Sequence, residues 1–316
     1  MDFIDVVVST IVQETSTVRT LYFTRPDGSS VGPYEPGAHV DVVGPTAVTR
    51  QYSLCSRPDG RESFAVAVKL TESSRGGSSA MHDLAVGDRV RISNPRNLLR
   101  VDEGAAHHVL IAAGIGITPM LSMARHLDVQ GISWELHYFA RSEEEAAFLP
   151  LLRERAPSRV HEHLGVSRAD QVGRLTAAFD AAPEGSHVYL CGPTGFMDKI
   201  RRHAENYVPA DAIHIENFQA SETDTSGDSE FDVELDGKVF QVPAGRSIVD
   251  VLDEAGVEVD TSCQEGICGT CIMQVLAGTP DHRDNVLSKA ERESGTVMAV
   301  CVSRSADGGK IVLEHY

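Results

Sequence analysis

The chain has 316 residues, about twice the ~150 of an average domain, so two or three domains are expected, each long enough to bury a core. Its 28 Lys+Arg against 46 Asp+Glu give a formal charge of −18, which disfavours nucleic acid as a partner and suits a basic protein surface. Hydrophobic residues reach 41%, yet no apolar run approaches the roughly 18 residues of a membrane span, and Asp2 stands where a secretory signal wants positive charge; a soluble, cytoplasmic protein is expected.

Residues 1–103 form the first expected domain. FIDVVV, VRTLYF, GAHVDVV, FAVAVKL and GDRVRIS read as strands separated by turns, with clean alternation at Phe64, Val66 and Val68. Closely spaced strands without long helices predict a small antiparallel barrel. From His108 the continuous apolar run VLIAAG precedes a helix in which Met120, Met123, Ala124 and Leu127 share one face. Strand then helix recurs as SWELHYFA before EEEAAFLPLLRERA, VHEHL before RADQVGRLTAAF, and HVYLCG before TGFMDKIRRHAENY. Over residues 104–220 this alternation predicts a parallel sheet covered by helices. The polar, acidic SETDTSGDSE reads as a linker, placed at 221–229.

In the remaining domain, 230–316, FDVEL and KVFQV flank the hairpin signal Asp236-Gly237. Ser247 can cap a helix that presents Ile248, Val251, Leu252 and Ala255 and is closed by Gly256. From residue 225 onward 7 Lys+Arg stand against 17 Asp+Glu, a net of −10, so this end carries more than half of the excess negative charge and is the expected docking face.

Cys263, Cys268 and Cys271 have C-x4-C-x2-C spacing, and Cys301 follows after 29 intervening residues. This is the plant-type [2Fe–2S] arrangement, in which Gly266 and Gly269 let backbone approach the cluster closely. Structural zinc is the competing reading, although zinc sites usually pair two C-x2-C knuckles and only one is present. Cys55 and Cys191 lack partners at metal spacing and are expected to be inert buried thiols. His107, His108, His161 and His163 have no companion carboxylate at metal spacing, so hydrogen-bonded or solvent-facing roles are expected.

Two glycine loops can offer backbone N–H groups to phosphates. Gly114, Gly116, Thr118 and Pro119 lie between a strand and a helix, where the helix dipole favours pyrophosphate; Pro119 replaces the third glycine of the dinucleotide fingerprint. The next strand ends in Arg141-Ser142 instead of the usual ribose-binding acid. The second loop, Arg75 to Ser79, can cradle another phosphate. For both loops an ordinary surface or strand-to-helix turn is the alternative.

Arg50-Gln51-Tyr52-Ser53-Leu54, the Gly77-Ser78 loop, the Gly114 to Pro119 loop, Cys191-Gly192-Pro193, Glu216-x-Phe218 and the C-terminal cysteines together resemble the phthalate dioxygenase reductase family. The vanillate demethylase reductases belong with it, and the resemblance spans essentially the whole chain. It implies an FMN-binding antiparallel β-barrel, an α/β nicotinamide domain with a parallel sheet, and a β-grasp-like α+β ferredoxin domain. It further implies that Arg50 contacts the flavin phosphate or ribityl chain, and that Tyr52 and Ser53 line the isoalloxazine, with Gln51 in the same motif and Ser53 near N5. Ala67, Val68 and Lys69 would follow the ring edge, Gly76, Gly77 and Ser78 would hold the phosphate, and Phe218 would shield the ring with Glu216 beside it. Core packing is the plain alternative for Phe218. Gly114, Gly116, Thr118 and Pro119 would bind the nicotinamide pyrophosphate, Cys191, Gly192 and Pro193 would adjoin the nicotinamide, and Arg141 and Ser142 would take the adenosine ribose. Ser53, Glu216 and Cys191 are the residues expected at the reacting atoms.

Glu143, Glu144 and Glu145 would repel a 2′-phosphate, so NADH is expected over NADPH, unless these acids form a solvated first helical turn. FAD is the alternative to FMN. A nicotinamide gives two electrons as hydride and an iron–sulfur cluster accepts one, so a flavin must stand between them. The expected activity is NADH-dependent electron transfer through FMN and [2Fe–2S] to a Rieske-type aromatic oxygenase or demethylase, by a monomer that binds neither nucleic acid nor membrane. A cytochrome P450 is the alternative acceptor. A non-catalytic iron–sulfur carrier or sensor, and a zinc-stabilised interaction module, are the readings of another class.

Overall fold

The computed structural model describes residues 3–46, 48–71, 76–218 and 225–315. They form two compact units, Met1–Glu216 and Asn217–Tyr316.

The first unit begins with β1 (Phe3–Gln13), β2 (Val18–Thr24), β3 (His39–Val43), β4 (Thr49–Ser53), β5 (Phe64–Lys69), α1 (Gly77–His82) and β6 (Arg89–Ser93). The strands pair in the order β4-β3-β6-β1-β2-β5, and an antiparallel bridge from Leu54 to Val66 joins the two edges and closes the barrel. Closure removes the unpaired edges that would otherwise template association. Val8, Phe23, Val40, Phe64, Val66 and Ile92 fill the interior. Alternation along β5 departs from the sequence expectation: Ala65 and Ala67 are as buried as the apolar residues between them. The chain after β4 folds back over them, Cys55 N donating to Ala65 O at 2.9 Å, and alanine is small enough to admit that approach.

A parallel sheet follows, built from β7 (His107–Ala113), α2 (Ile117–Gln130), β8 (Trp134–Ala140), α3 (Leu149–Arg155), β9 (Val160–Leu164), α4 (Thr176–Ala181), β10 (Ser186–Cys191), α5 (Thr194–Ala204) and β11 (Ile213–Glu216). Its order β11-β10-β7-β8-β9 reverses direction between β7 and β10, so a crevice opens beyond their carboxyl ends. Met120, Met123, Ala124 and Leu127 of α2 are buried, as their spacing predicts.

Two helices are shorter than the sequence pattern suggests. Phe148 adopts φ 64 and Pro150 occupies the first turn of α3, where its ring is tolerated but its missing N–H prevents the helix from reaching back over Glu143 to Glu145. Before α4, the Ser167 hydroxyl bonds Asp170 Oδ2 at 2.6 Å within a run of turns that also contains Gly173, and helix begins only at Thr176.

The second unit contains β12 (Phe231–Leu235), β13 (Lys238–Val242), α6 (Ile248–Glu254), β14 (Ile272–Ala277), β15 (Pro280–Asp281), α7 (Lys289–Ser294), β16 (Val297–Ala299), β17 (Arg304–Ser305) and β18 (Ile311–Glu314). Asp236 and Gly237, at φ 52 and 72, form the two-residue turn between β12 and β13. The mixed sheet has the order β13-β12-β18-β14-β16, with β12 and β18 parallel, a β-grasp arrangement. Ser247 and Asp250 exchange reciprocal side-chain-to-backbone bonds at the start of α6. This helix buries Ile248, Val249 and Leu252, while Val251 is half-buried.

Among the described residues no helix is long and apolar enough to cross a membrane.

Candidate functional site

The crevice is lined by the ends of β7, β10 and β11. A Cβ built on Gly116 would lie 2.2 Å from Cys191 O and 2.4 Å from Cys191 C, so only glycine lets the loop after β7 lie against the end of β10. Gly114, Gly116, Thr118 and Pro119 thus run from β7 into α2 beside Cys191, Gly192 and Pro193. The Thr118 hydroxyl turns back to Ile115 O at 3.0 Å. Cys191 pairs in register with Glu216 on β11, and burial raises its thiol well above the ordinary value, with Glu216 adding to the effect.

The barrel meets this edge directly. Ser53, at the end of β4, donates from Oγ to Glu216 Oε2 at 3.2 Å. Burial pushes the Glu216 carboxyl up to about 8, the Ser53 bond opposing only part of the shift. His39, which pairs with Ser53 across β3 and β4, brings Nδ1 to 3.9 Å from Glu216 Oε1 and is itself pushed down to about 4, by burial first and then by Arg96. Near neutral pH the carboxyl, the imidazole and the thiol are therefore uncharged. Sequence reasoning missed His39. Its only sequence signal is alternation on β3, which sets it on the face opposite the core residues Val40 and Val42 and names no partner for it.

Around Ser53, β4 carries half-buried Arg50, Gln51 and Tyr52. Gln51 Nε2 lies 3.5 Å from His39 Nε2, and burial raises the Tyr52 hydroxyl to about 12. The Arg50 side chain crosses the glycine loop: a Cβ on Gly77 would stand 3.0 Å from Arg50 Cγ and 3.1 Å from Nε. The guanidinium and the start of α1, with Gly76, Gly77 and Ser78, thereby form one cradle of donors, which suits a flavin phosphate. Arg75 lies outside the described residues. Ala67 and Val68 are buried, whereas Lys69 is exposed at the end of β5.

Arg141 and Ser142 follow β8, Arg141 exposed. Glu143, Glu144 and Glu145 sit in the turns before α3, which corrects their placement in a first helical turn. Glu143 pairs with Arg153, and a hydrogen bond from Ser142 holds Glu144 below the ordinary carboxylate range. Phe218 falls in the second unit and is half-buried.

In the second unit the four cysteines separate into two hydrogen-bonded pairs. Contact with Cys263 lowers the Cys268 thiol and raises its partner; Cys271 and Cys301 divide in the same way. Four thiolates on one zinc at 2.3 Å would all stand about 3.8 Å apart. Instead, among the described residues, the one trio of potential metal donors within 4.8 Å of one another lies elsewhere, at Glu135, His137 and His161. Two pairs match two irons, each taking two sulfurs, so the donor set fits [2Fe–2S] and disfavours zinc. Backbone N–H groups already reach sulfur, Glu265 N to Cys263 at 3.3 Å and Thr270 N to Cys268 at 3.4 Å. Buried Asp284 stabilises the loop from below: its Oδ2 accepts from Val286 N and Leu287 N at 3.1 and 2.8 Å, while Asn285 N donates to Gly266 O at 2.8 Å. Arg283, next to Asp284, pairs with Asp228 at 2.7 Å.

Comparison with known proteins agrees with this geometry. Residues 232–306 match the model of the 2Fe-2S iron-sulfur cluster binding domain, and residues 90–213 match the N-terminal domain of the dimethylamine monooxygenase subunit DmmA-like family. The chain is 41% identical over 307 residues to the vanillate O-demethylase oxidoreductase of Pseudomonas sp. (strain HR199 / DSM 7063), covering 96% of this chain and 97% of that one. The chain belongs to this family of oxygenase reductases. The structure of phthalate dioxygenase reductase, described as modular for electron transfer from pyridine nucleotides to [2Fe–2S], superposes with a TM-score of 0.75 at 36% identity, covering 99% and 98% of the two chains. An intact type IV self-sufficient cytochrome P450 monooxygenase superposes at 0.86 with 36% identity over 98% of this chain, which spans 41% of that longer one. This family member is accordingly an NAD(P)H-dependent oxidoreductase with FMN and [2Fe–2S] as cofactors.

Histidines contradict one sequence expectation. Glu135 is a companion carboxylate for His107, His137 and His161, at 3.8, 3.5 and 3.3 Å. Cys55 behaves as expected: it is buried, with its thiol pushed up to about 12 by burial.

Proposed function

We propose that this reductase takes electrons from NADH and delivers them to a Rieske-type aromatic oxygenase or demethylase, acting as a cytoplasmic monomer. The observation that carries the reading is the Ser53–Glu216 bond, 3.2 Å long, which joins the flavin-motif strand of the barrel to the nicotinamide edge of the parallel sheet. When bound, FMN and the cluster supply the conversion from two-electron to one-electron transfer. Arg50 and the N–H groups of Gly76, Gly77 and Ser78 would hold the flavin phosphate, while Tyr52, Ser53, Ala67, Val68 and Lys69 would line the ring.

Gly114, Gly116, Thr118 and Pro119 bind the dinucleotide, and Gly192 and Pro193 complete its floor. Ser53 orients the Glu216 carboxyl by donating to Oε2. With Glu216 and Cys191 both uncharged, neither is a fixed anion that would trap the positively charged, oxidised nicotinamide. Glu144, drawn to Ser142, repels a 2′-phosphate and can accept from a ribose hydroxyl, which favours NADH with Arg141 alongside. Cys263 with Cys268, and Cys271 with Cys301, each hold one iron. The acidic C-terminal unit forms the docking face, so turnover falls as ionic strength rises.

Similarity to the self-sufficient P450 favours a haem acceptor as the second reading. NADH-driven turnover with purified Rieske oxygenase and with purified P450 separates them, the higher rate identifying the acceptor class. In the same preparation Cys268→Ala should abolish cytochrome c reduction and leave ferricyanide reduction intact. Full cytochrome c activity in that variant would refute the electron route.

A further inference from the structure

The other end of the parallel sheet carries a cluster that the electron route does not use. Glu135 and His137 on β8 share a sheet face with His161 on β9, and His137 and His161 are direct cross-strand partners. We propose that Glu135, His137 and His161 bind a zinc-like divalent transition metal, with a further coordination position left to water.

The spacing carries the argument. Glu135 Oε1 lies 3.5 Å from His137 Nε2 and Oε2 lies 3.3 Å from His161 Nε2, and one donor atom from each residue falls within 4.8 Å of the other two. Donors 2.0–2.1 Å from a tetrahedral zinc stand about 3.3 Å apart, which is longer than an N–H···O bond and close to these separations.

His137 is 5% exposed, and its Nε2 is buried without a hydrogen-bond partner. Its other nitrogen, Nδ1, is 3.0 Å from His163 Nε2. With His137 Nδ1 as the donor of that bond, Nε2 is the ring nitrogen left free to bind a cation. The lone pair of His137 Nε2 then faces a carboxylate oxygen, an arrangement that a cation relieves. A partner on the far side of the ring is also how metal-bound histidines are usually oriented. His107 steadies the carboxylate from the other side, its Nε2 3.8 Å from Glu135 Oε1 and its Nδ1 held by Ser133 Oγ at 2.8 Å. His161 is 45% exposed, which gives the ion a way in.

The test uses holoenzyme with flavin and cluster in place, so that the cysteines cannot compete. It is dialysed against Zn2+ buffered by a chelator, and bound zinc is counted by mass spectrometry. About one zinc per chain is expected for the parent. Both His161→Asn, at an exposed position that the fold does not need, and Glu135→Gln should weaken binding roughly 10–100-fold. His126→Asn, whose imidazole pairs with Glu103 elsewhere, should bind as the parent does. Absence of zinc from the parent, or undiminished uptake by both site variants, would overturn the assignment.

Discussion

Glu216→Gln should relieve a pH-dependent strain on the first unit. Burial raises this carboxyl from an ordinary 4.5 to about 8. Below pH 4.5 it is protonated in both the folded and the unfolded chain and costs nothing. As pH rises the unfolded chain releases the proton while the folded one keeps it, so stability falls until pH reaches about 8 and then levels. His39, His163 and His214, each pushed from 6.5 down to about 4, oppose this trend only below their ordinary value. The interval from pH 6.5 to 8 therefore belongs to Glu216, and at about 1.36 kcal/mol per unit the cost grows by roughly 2 kcal/mol across it. Glutamine cannot ionise yet keeps an oxygen for Ser53. The stability of the variant relative to the parent should rise by that amount over the interval. Trp134, the chain's single tryptophan, is buried on β8 in the same unit, so its fluorescence during urea unfolding reports the relevant transition. Parallel stability curves for the two proteins would show that Glu216 is already ionised near neutrality and would refute the burial argument.

Gly116→Ala drives a methyl group into the Cys191 carbonyl, 2.2 Å away, and must push the dinucleotide loop off β10. Steady-state kinetics with ferricyanide should show a kcat/KM for NADH reduced by about tenfold or more. Glu144→Gln removes the acid that Ser142 bonds, so kcat/KM for NADPH should rise a few-fold relative to NADH, modestly because the site is open to solvent. An unchanged coenzyme ratio would mean that Glu144 does not face the ribose.

The features legible in the sequence are those whose partners lie close along the chain. C-x4-C-x2-C is a contiguous loop, and Asp236-Gly237 and Ser247 act on their own neighbours, so spacing alone reports them. Even local signals failed where two of them conflicted: the apolar pattern through Glu143 to Ala156 reads as one helix, but Pro150 limits how far back it can extend. Cys301 is the instructive intermediate case. Its distance from Cys271 is set by three intervening strands and a helix, and only the fixed chemistry of four thiolates connects them.

Lateral neighbours are a different matter. Ser53 and Glu216 touch across 163 residues, and nothing in either stretch encodes the other; only the resemblance to a family placed both at one site. The histidine cluster shows why this limit is physical. Parallel strands need a crossover between them, so residues that become cross-strand partners are separated by a whole helix and its turns. His137 and His163 stand 26 residues apart, and the separation varies with every loop, so no ligand spacing can flag it. What the strand pattern does specify is parity. Glu135, His137, His161 and His163 occupy alternate positions on two strands, hence one face of each, and once β8 and β9 pair in register their convergence follows from the two-residue period of a strand. A search for buried polar sites in parallel sheets must therefore align strands by register before it looks for donors.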